Sequence, residues 1–113
     1  MKRIEAIIRP TKVTQLCASL EKVGYSGVTI SDVEGHGSQK GFRERNVRGM
    51  TCKVPFLEKK RIVLVVKDNE AGMIIKAIRE AACTGKIGDG KIFVSTMDDA
   101  IRIRTGETGD AAV

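Results

Sequence analysis

Ile4, Ala6 and Ile8 alternate with Arg3, Glu5 and Arg9, a period of two that predicts a strand with one buried face, ended by Pro10. Ile7 interrupts the alternation and puts an apolar residue on the outer face. Val13, Leu16, Cys17, Leu20 and Val23 then recur at helical spacing, with Thr11 placed to cap the helix and Gly24 to stop it. A second strand is predicted over 28–33, flanked by Gly27 on one side and Gly35 and Gly37 on the other. The run Ile-Val-Leu-Val-Val within 61–67 predicts a third, buried strand. Ile74, Ala77, Ile78 and Ala81 share one face of a second helix whose start Asp68 or Asn69 can cap. Residues 91–97 read as a fourth strand, and 101–105 as a short extended tail.

This order predicts an α+β fold of the ferredoxin-like βαββαβ type, a single domain over 1–113. Its antiparallel four-stranded sheet carries both helices on one face. The third strand is apolar on both of its faces, so the sheet face away from the helices needs a cover, and self-association is the simplest one. Between strands two and three, residues 36–58 show no periodicity. A loop of that length in a compact domain implies a task, and its net charge of +4 between residues 37 and 57 suits docking on a partner.

Composition narrows the class. With 42% hydrophobic and 30% charged residues, the 113-residue chain reads as an ordinary globular domain. Twenty basic against 14 acidic side chains favour phosphate-bearing partners such as nucleotides, nucleic acid or an acidic membrane face. Cys17, Cys52 and Cys83 are odd in number and widely spaced, which argues against a disulfide framework or a zinc site and for a reducing compartment. Met1-Lys-Arg leads straight into a strand pattern, and no apolar run approaches the ~20 residues of a membrane span. The expected location is the cytoplasm.

Two segments add candidate chemistry. In Thr84-Gly-Lys-Ile-Gly-Asp-Gly-Lys91, three glycines let backbone amides approach a ligand and two lysines supply charge for phosphate. The spacing mimics a Walker A loop, but Ile92 stands where a magnesium-holding Ser or Thr belongs, and the order is helix to strand rather than strand to helix. In Ile101-Arg-Ile-Arg104, an extended backbone would set Arg102 and Arg104 side by side on one face, suited to a polyphosphate. Catalysis has little to stand on: His36 has no nucleophile nearby, no carboxylates are paired, and Asp98-Asp99 reads as a turn. Cys17 reads as core, Cys83 as a small residue at a helix end, and Cys52 as the exposed thiol.

The segment Thr84-Gly-Lys-Ile-Gly-Asp-Gly-Lys-Ile-Phe-Val94, followed by Ile101-Arg-Ile-Arg-Thr-Gly-Glu107, closely resembles the C-terminal signature of PII nitrogen-regulatory signal-transduction proteins. The opening Lys2-Arg-Ile-Glu-Ala-Ile-Ile-Arg-Pro10 and the stretch Gly35-x-Gly-x-Gln-Lys-Gly41 match as well, so the similarity spans nearly the whole chain. It implies a homotrimer that binds ATP or ADP between subunits and signals without catalysing. Gly88, Asp89, Gly90 and Lys91 would wrap the phosphates, Arg102 and Arg104 would reach them from the neighbouring subunit, and Thr29, Gly35 and Gly37 would lie beside the nucleotide. A second ligand, 2-oxoglutarate, would be held with magnesium on the ATP phosphates. Gln39 would help hold the metal, Lys59 would pair with a carboxylate, and Lys40 and Gly41 would supply backbone contacts. The 36–58 loop would change shape with ligand state and dock on an ammonium transporter or a nitrogen-metabolism enzyme or regulator.

The chain departs from the family pattern at several positions. Cys52 stands where many relatives carry a uridylylated tyrosine, and Met50 where some carry a phosphorylated serine, so neither modification is expected. Ser38 replaces an arginine near the phosphates, and the loop is one residue longer around 43–47. The rival from another class is a basic ferredoxin-like nucleic-acid-binding module. Such sheets need stacked aromatics on their central strands, and here strand three has none and strand four only Phe93. No direct nucleic-acid contact and no membrane insertion are therefore expected.

Overall fold

A computed structural model describes residues 1–25, 27–37, 43–47, 50–54 and 56–113, the two middle segments by their backbone alone. Strand β1 spans Lys2–Ile8, helix α1 Val13–Lys22 and strand β2 Thr29–Gly35. Strands β3 (Arg43–Val47) and β4 (Met50–Val54) follow, then β5 (Leu57–Val66), helix α2 (Asp68–Ala82) and β6 (Lys91–Thr96). The main sheet has the order β2-β5-β1-β6 and is antiparallel throughout, which is the ferredoxin-like arrangement. Both predicted helices and all four predicted strands are present, although β5 begins four residues before the predicted start. The segment read as lacking periodicity contains a ladder of its own, with Arg43 opposite Val54 and Val47 opposite Met50.

The period of two sorts the sheet cleanly. Ile4, Ala6 and Ile8 of β1 and Ile62, Leu64 and Val66 of β5 are at most 2% exposed. They pack against Leu16 and Leu20 of α1 and Ile74 and Ile78 of α2. Each such Ile, Leu or Val side chain contributes about 1.5–3 kcal/mol by leaving water. The odd positions point the other way: Ile7, Val63 and Val65 are only half-buried, and Phe93 is 54% exposed. On that face Glu5 accepts from Arg3 at 2.8 Å and lies 3.9 Å from Arg61. Among the described residues this face has no helical cover, as the two-sided apolar pattern of the third strand implied.

Both predicted helix caps are corrected. Pro10–Lys12 form a 3-10 turn that runs directly into α1, so the extended residue before the helical stretch is Arg9, and Thr11 lies inside it. Pro10 at the first position fits its fixed φ and missing N–H. At α2 the cap position is Lys67, and Asp68 is the first helical residue. Its carboxylate meets the ammonium of Met1 at 3.0 Å, and that pairing, led by the hydrogen bond, lowers its pKa. Cys17, read as core, is only half-buried and is not part of the core cluster, and Cys83, at the end of α2, is an exposed thiol; the side chain of Cys52 lies outside the described residues. Tyr25 donates to the carbonyl of Val65, beyond the point where β2 stops pairing with β5, and burial followed by Glu70 raises its pKa.

The tail corrects a further expectation. Residues 103–105 are a turn rather than an extended strand, closed by an isolated bridge between Ile101 and Thr108. Arg102 donates its N–H to Glu107 at 2.8 Å and accepts from Gly106 at 2.8 Å. The two arginines are therefore not set side by side by strand geometry. The described residues contain no helix long and apolar enough to cross a membrane.

Candidate functional site

Antiparallel pairing brings the C-terminal ends of β1 and β2 and the N-terminal ends of β5 and β6 to one end of the sheet. There a cleft of about 540 Å³ opens, lined by Gly35 at the end of β2 and His36 and Gly37 after it, by Leu57 and Lys59 of β5, and by the loop that leads into β6. The loop supplies Lys86, Ile87, Gly88, Asp89, Gly90 and Lys91. Three of its glycines, Gly85, Gly88 and Gly90, have φ of +82°, +106° and +91°. At Gly90 glycine is obligatory on two counts, because an added Cβ would lie 1.6 Å from the Ile7 carbonyl oxygen.

Asp89 holds this loop in shape. One carboxylate oxygen accepts the N–H of Thr84 at 2.8 Å and of Gly85 at 2.9 Å. The other accepts the Thr84 hydroxyl and the Arg9 guanidinium, at 3.1 Å for the latter. These bonds, Thr84's first, hold the Asp89 carboxyl well below the usual carboxylate range. Arg9 also donates to the Ile87 carbonyl at 2.8 Å, and Lys59 to the Gly88 carbonyl at 2.7 Å. The Lys59 ammonium is pushed down by partial burial and by Arg9, against the pull of Asp89. The loop is thus fastened to the ends of β1 and β5 before any ligand arrives.

Of the residues singled out from the sequence, Gly35, Gly37, Lys59, Gly88, Asp89, Gly90 and Lys91 meet in this cleft. Asp89 takes a different part from its neighbours, since both its oxygens are committed to the loop. Gln39, Lys40 and Gly41 lie outside the described residues. Sequence reasoning passed over Arg9 and Thr84, whose partners are 80 and five residues away, and the one available signal was a basic residue ending the first strand.

Thr29, Arg102 and Arg104 are elsewhere. Thr29 opens β2 opposite Val63, six residues from Gly35, and at about 3.3 Å per residue it lies about 20 Å from the cleft. The chain leaves β6 at that same far end, where Met97 donates to the Met1 carbonyl at 3.1 Å, and the arginine turn emerges from there. None of the three lines the cleft of its own chain.

A second cleft of about 540 Å³, beside β2 and β5, is lined by Pro10, Asp32, Val33, Glu34, Glu58, Lys59 and Lys60. It mixes carboxylates with ammonium groups, and Lys60 is already paired with Asp32. The first cleft, whose one carboxylate is spent inside its own loop, is better suited to an anion. No cluster of three His, Cys, Asp or Glu side chains able to hold a metal occurs among the described residues.

Comparison with known proteins agrees with the resemblance. A family model described as "Nitrogen regulatory protein P-II" matches residues 1–107. Curated proteins of that description from Rhizobium meliloti and Nostoc punctiforme are 50% and 49% identical to the chain over 113 residues, covering all of both sequences. Among solved structures, Arabidopsis thaliana PII bound to citrate superposes with a TM-score of 0.81 at 41% identity, over 99% of this chain and 91% of that one.

Proposed function

The chain belongs to the nitrogen regulatory protein P-II family, whose members are signalling regulators and not enzymes, and from that premise we propose a nucleotide sensor with its sites shared between subunits. ATP or ADP is held between copies of a cytoplasmic homotrimer. The phosphates sit on the amides of 88–90 and on Lys91, and Arg102 and Arg104 come from the neighbouring copy together with Thr29. The observation that carries this reading is the cleft at one end of the sheet, with a glycine loop already fastened by Asp89 and with Lys86 and Lys91 on its wall.

The separation of the two ends supports the sharing. If one ligand touches both the loop and the arginine turn, the near end of one copy must meet the far end of another. That contact is head-to-tail, and such contacts close into rings. The half-buried Val63 and Val65 and the exposed Phe93 give the ring an apolar face to cover.

We further assign 2-oxoglutarate to the same cleft, with Lys59 exchanging the Gly88 carbonyl for a ligand carboxylate and with Lys40 and Gly41 alongside. The Arabidopsis relative bound to citrate, a small polycarboxylate, fits a site of this character. Magnesium, with its preference for oxygen ligands, would be held by the ligand phosphates and Gln39, since the described residues offer no carboxylate cage. The 36–58 segment starts beside the cleft, which His36 and Gly37 line, and returns at Phe56, whose ring meets His36, so ligand contacts that differ between two shapes of the segment would shift its docking on a nitrogen-metabolism partner. The sheet offers one aromatic, Phe93, where RNA-binding sheets stack two or three bases, and nothing favours that alternative.

Calorimetric titration with MgATP, then with 2-oxoglutarate in excess MgATP, tests the reading. Micromolar nucleotide binding that permits 2-oxoglutarate binding is expected. Nucleotide binding with no 2-oxoglutarate effect would reduce the protein to an adenylate sensor, and no nucleotide binding would refute the reading.

A further inference from the structure

His36 is the single histidine of the chain, and it stands where two features meet. Its ring lines the cleft that holds the glycine loop. Across the neck of the 36–58 segment it also meets Phe56 edge-on, with ring centroids 5.8 Å apart and planes at 65°. Edge-to-face packing of this kind fixes a ring's orientation at a modest energy. Histidine is the side chain whose charge ordinarily changes between pH 5 and 8. A polyanion placed in the cleft would therefore share it with a group that can gain a positive charge at physiological pH.

We propose that His36 is a proton-linked binding residue of this cleft: it takes up a proton as a polyphosphate enters, so that ligand affinity rises as pH falls from 8 to 6. The inference rests on the nucleotide reading above and adds to it a regulation of that site. The imidazole follows β2, whose nearest charged side chain is Glu34. From β5, Lys59 lines the same cleft, whereas Glu58, opposite Glu34 in the ladder, lines the other one. The loop before β6 presents Lys86, Asp89 and Lys91, and Arg9 at the end of β1 is engaged with Asp89. In the empty cleft Lys59, Lys86 and Lys91 outnumber the one lining carboxylate, Asp89, so a positive charge on the ring has no free anion beside it there. A bound polyphosphate reverses the sign of the local field and favours it. Because Phe56 lies on the return arm of the segment, a change of charge on the ring is felt at the neck that joins β2 to β5.

Linkage fixes the size of the effect. If ligand entry favours the protonated ring about tenfold, affinity changes by about sixfold between pH 6 and 8, and about half a proton is taken up per ligand at pH 7. The nucleotide's own phosphate also titrates in this range, so the readout is a difference between variants. His36→Phe keeps an aromatic ring against Phe56, and His36→Gln keeps a polar group; neither titrates.

The experiment is MgATP titration of the full chain by calorimetry from pH 6 to 8, in buffers of different ionisation enthalpy, for wild type and both variants. Wild type is expected to show the additional half proton and the additional several-fold pH dependence, and both variants to lose them while still binding at pH 8. Equal proton uptake and parallel pH profiles in all three proteins would overturn the proposal while leaving the nucleotide site intact. Failure of wild type to bind MgATP at any pH would overturn the site reading, and the proposal with it.

Discussion

The two ends of the sheet are built on opposite principles. At the near end, a glycine loop is tied to the ends of β1 and β5 by Asp89, Arg9 and Lys59, so the backbone that would face a phosphate is fixed within one chain. At the far end, the arginine turn is closed only on itself, through Arg102 with Glu107 and Gly106, and Ile103 at its tip is fully exposed. One end is a finished half-site. The other presents two exposed cations and an apolar tip that engage no side chain among the described residues, which is the form the proposed contribution to a neighbouring copy requires. Preorganisation lowers the ordering cost of binding at the first end, whereas under the proposed reading the second end has its geometry supplied by assembly.

The sharpest way to break the near end is Gly90→Ala. The new Cβ would collide with the Ile7 carbonyl at a φ that alanine disfavours. Nucleotide binding should fall more than about 100-fold, with a lower melting temperature read by calorimetry. Asp89→Asn comes next, and should cost about 10- to 100-fold in affinity with the fold retained, because an amide cannot accept at both atoms.

Asp89 also makes a pH prediction. Its carboxyl is depressed, so its contribution is complete above the ordinary carboxylate range near 4 and is lost only as pH falls well below it. The amide resonances of Thr84 and Gly85 should stay unchanged from pH 8 to 5 in wild type; movement in that interval would show that the carboxylate is not held as described.

At the far end, Arg102→Ala or Arg104→Ala should each weaken nucleotide binding about tenfold and leave the melting temperature of the unliganded protein unchanged, since both side chains are exposed. A fall in melting temperature would give them a structural part instead. The smallest expected effect lies at the far end but away from the arginine turn: Tyr25→Phe removes the hydrogen bond to the Val65 carbonyl and should cost about 1 kcal/mol in denaturant unfolding with no change in ligand affinity.

The same contrast explains what could be read from the sequence. Periodicity located β1, β5 and both helices because burial of Ile4, Ile8, Ile62, Leu64, Ile74 and Ile78 is a local pattern written residue by residue. The glycine loop was legible because Gly85, Gly88 and Gly90 announce a backbone that other residues resist. Its fastening was not, since the Arg9–Asp89 pair joins positions 80 residues apart and leaves no local mark. The arginine turn was misread as extended because alternation of Ile and Arg looks like a strand, while the bonds from Arg102 to Glu107 and Gly106 that curl it are made by the backbone. The pairing of β3 with β4 was missed because only β4 alternates, Met50, Cys52 and Val54 with Thr51 and Lys53 between them, while Arg43, Glu44 and Arg45 of β3 give no matching pattern.

The central claim is that a nucleotide is held by the near end of one copy and the far end of another, and subunit mixing tests it most directly. A Gly90→Ala protein and an Arg102→Ala/Arg104→Ala protein, each binding poorly alone, are unfolded, mixed in equal amounts and refolded. Random assembly pairs an intact loop with an intact turn at about one quarter of the sites if the two come from different copies. Recovery of wild-type affinity at about that fraction of sites is the predicted result. No recovery, with mixed assemblies shown to form, would contradict the account.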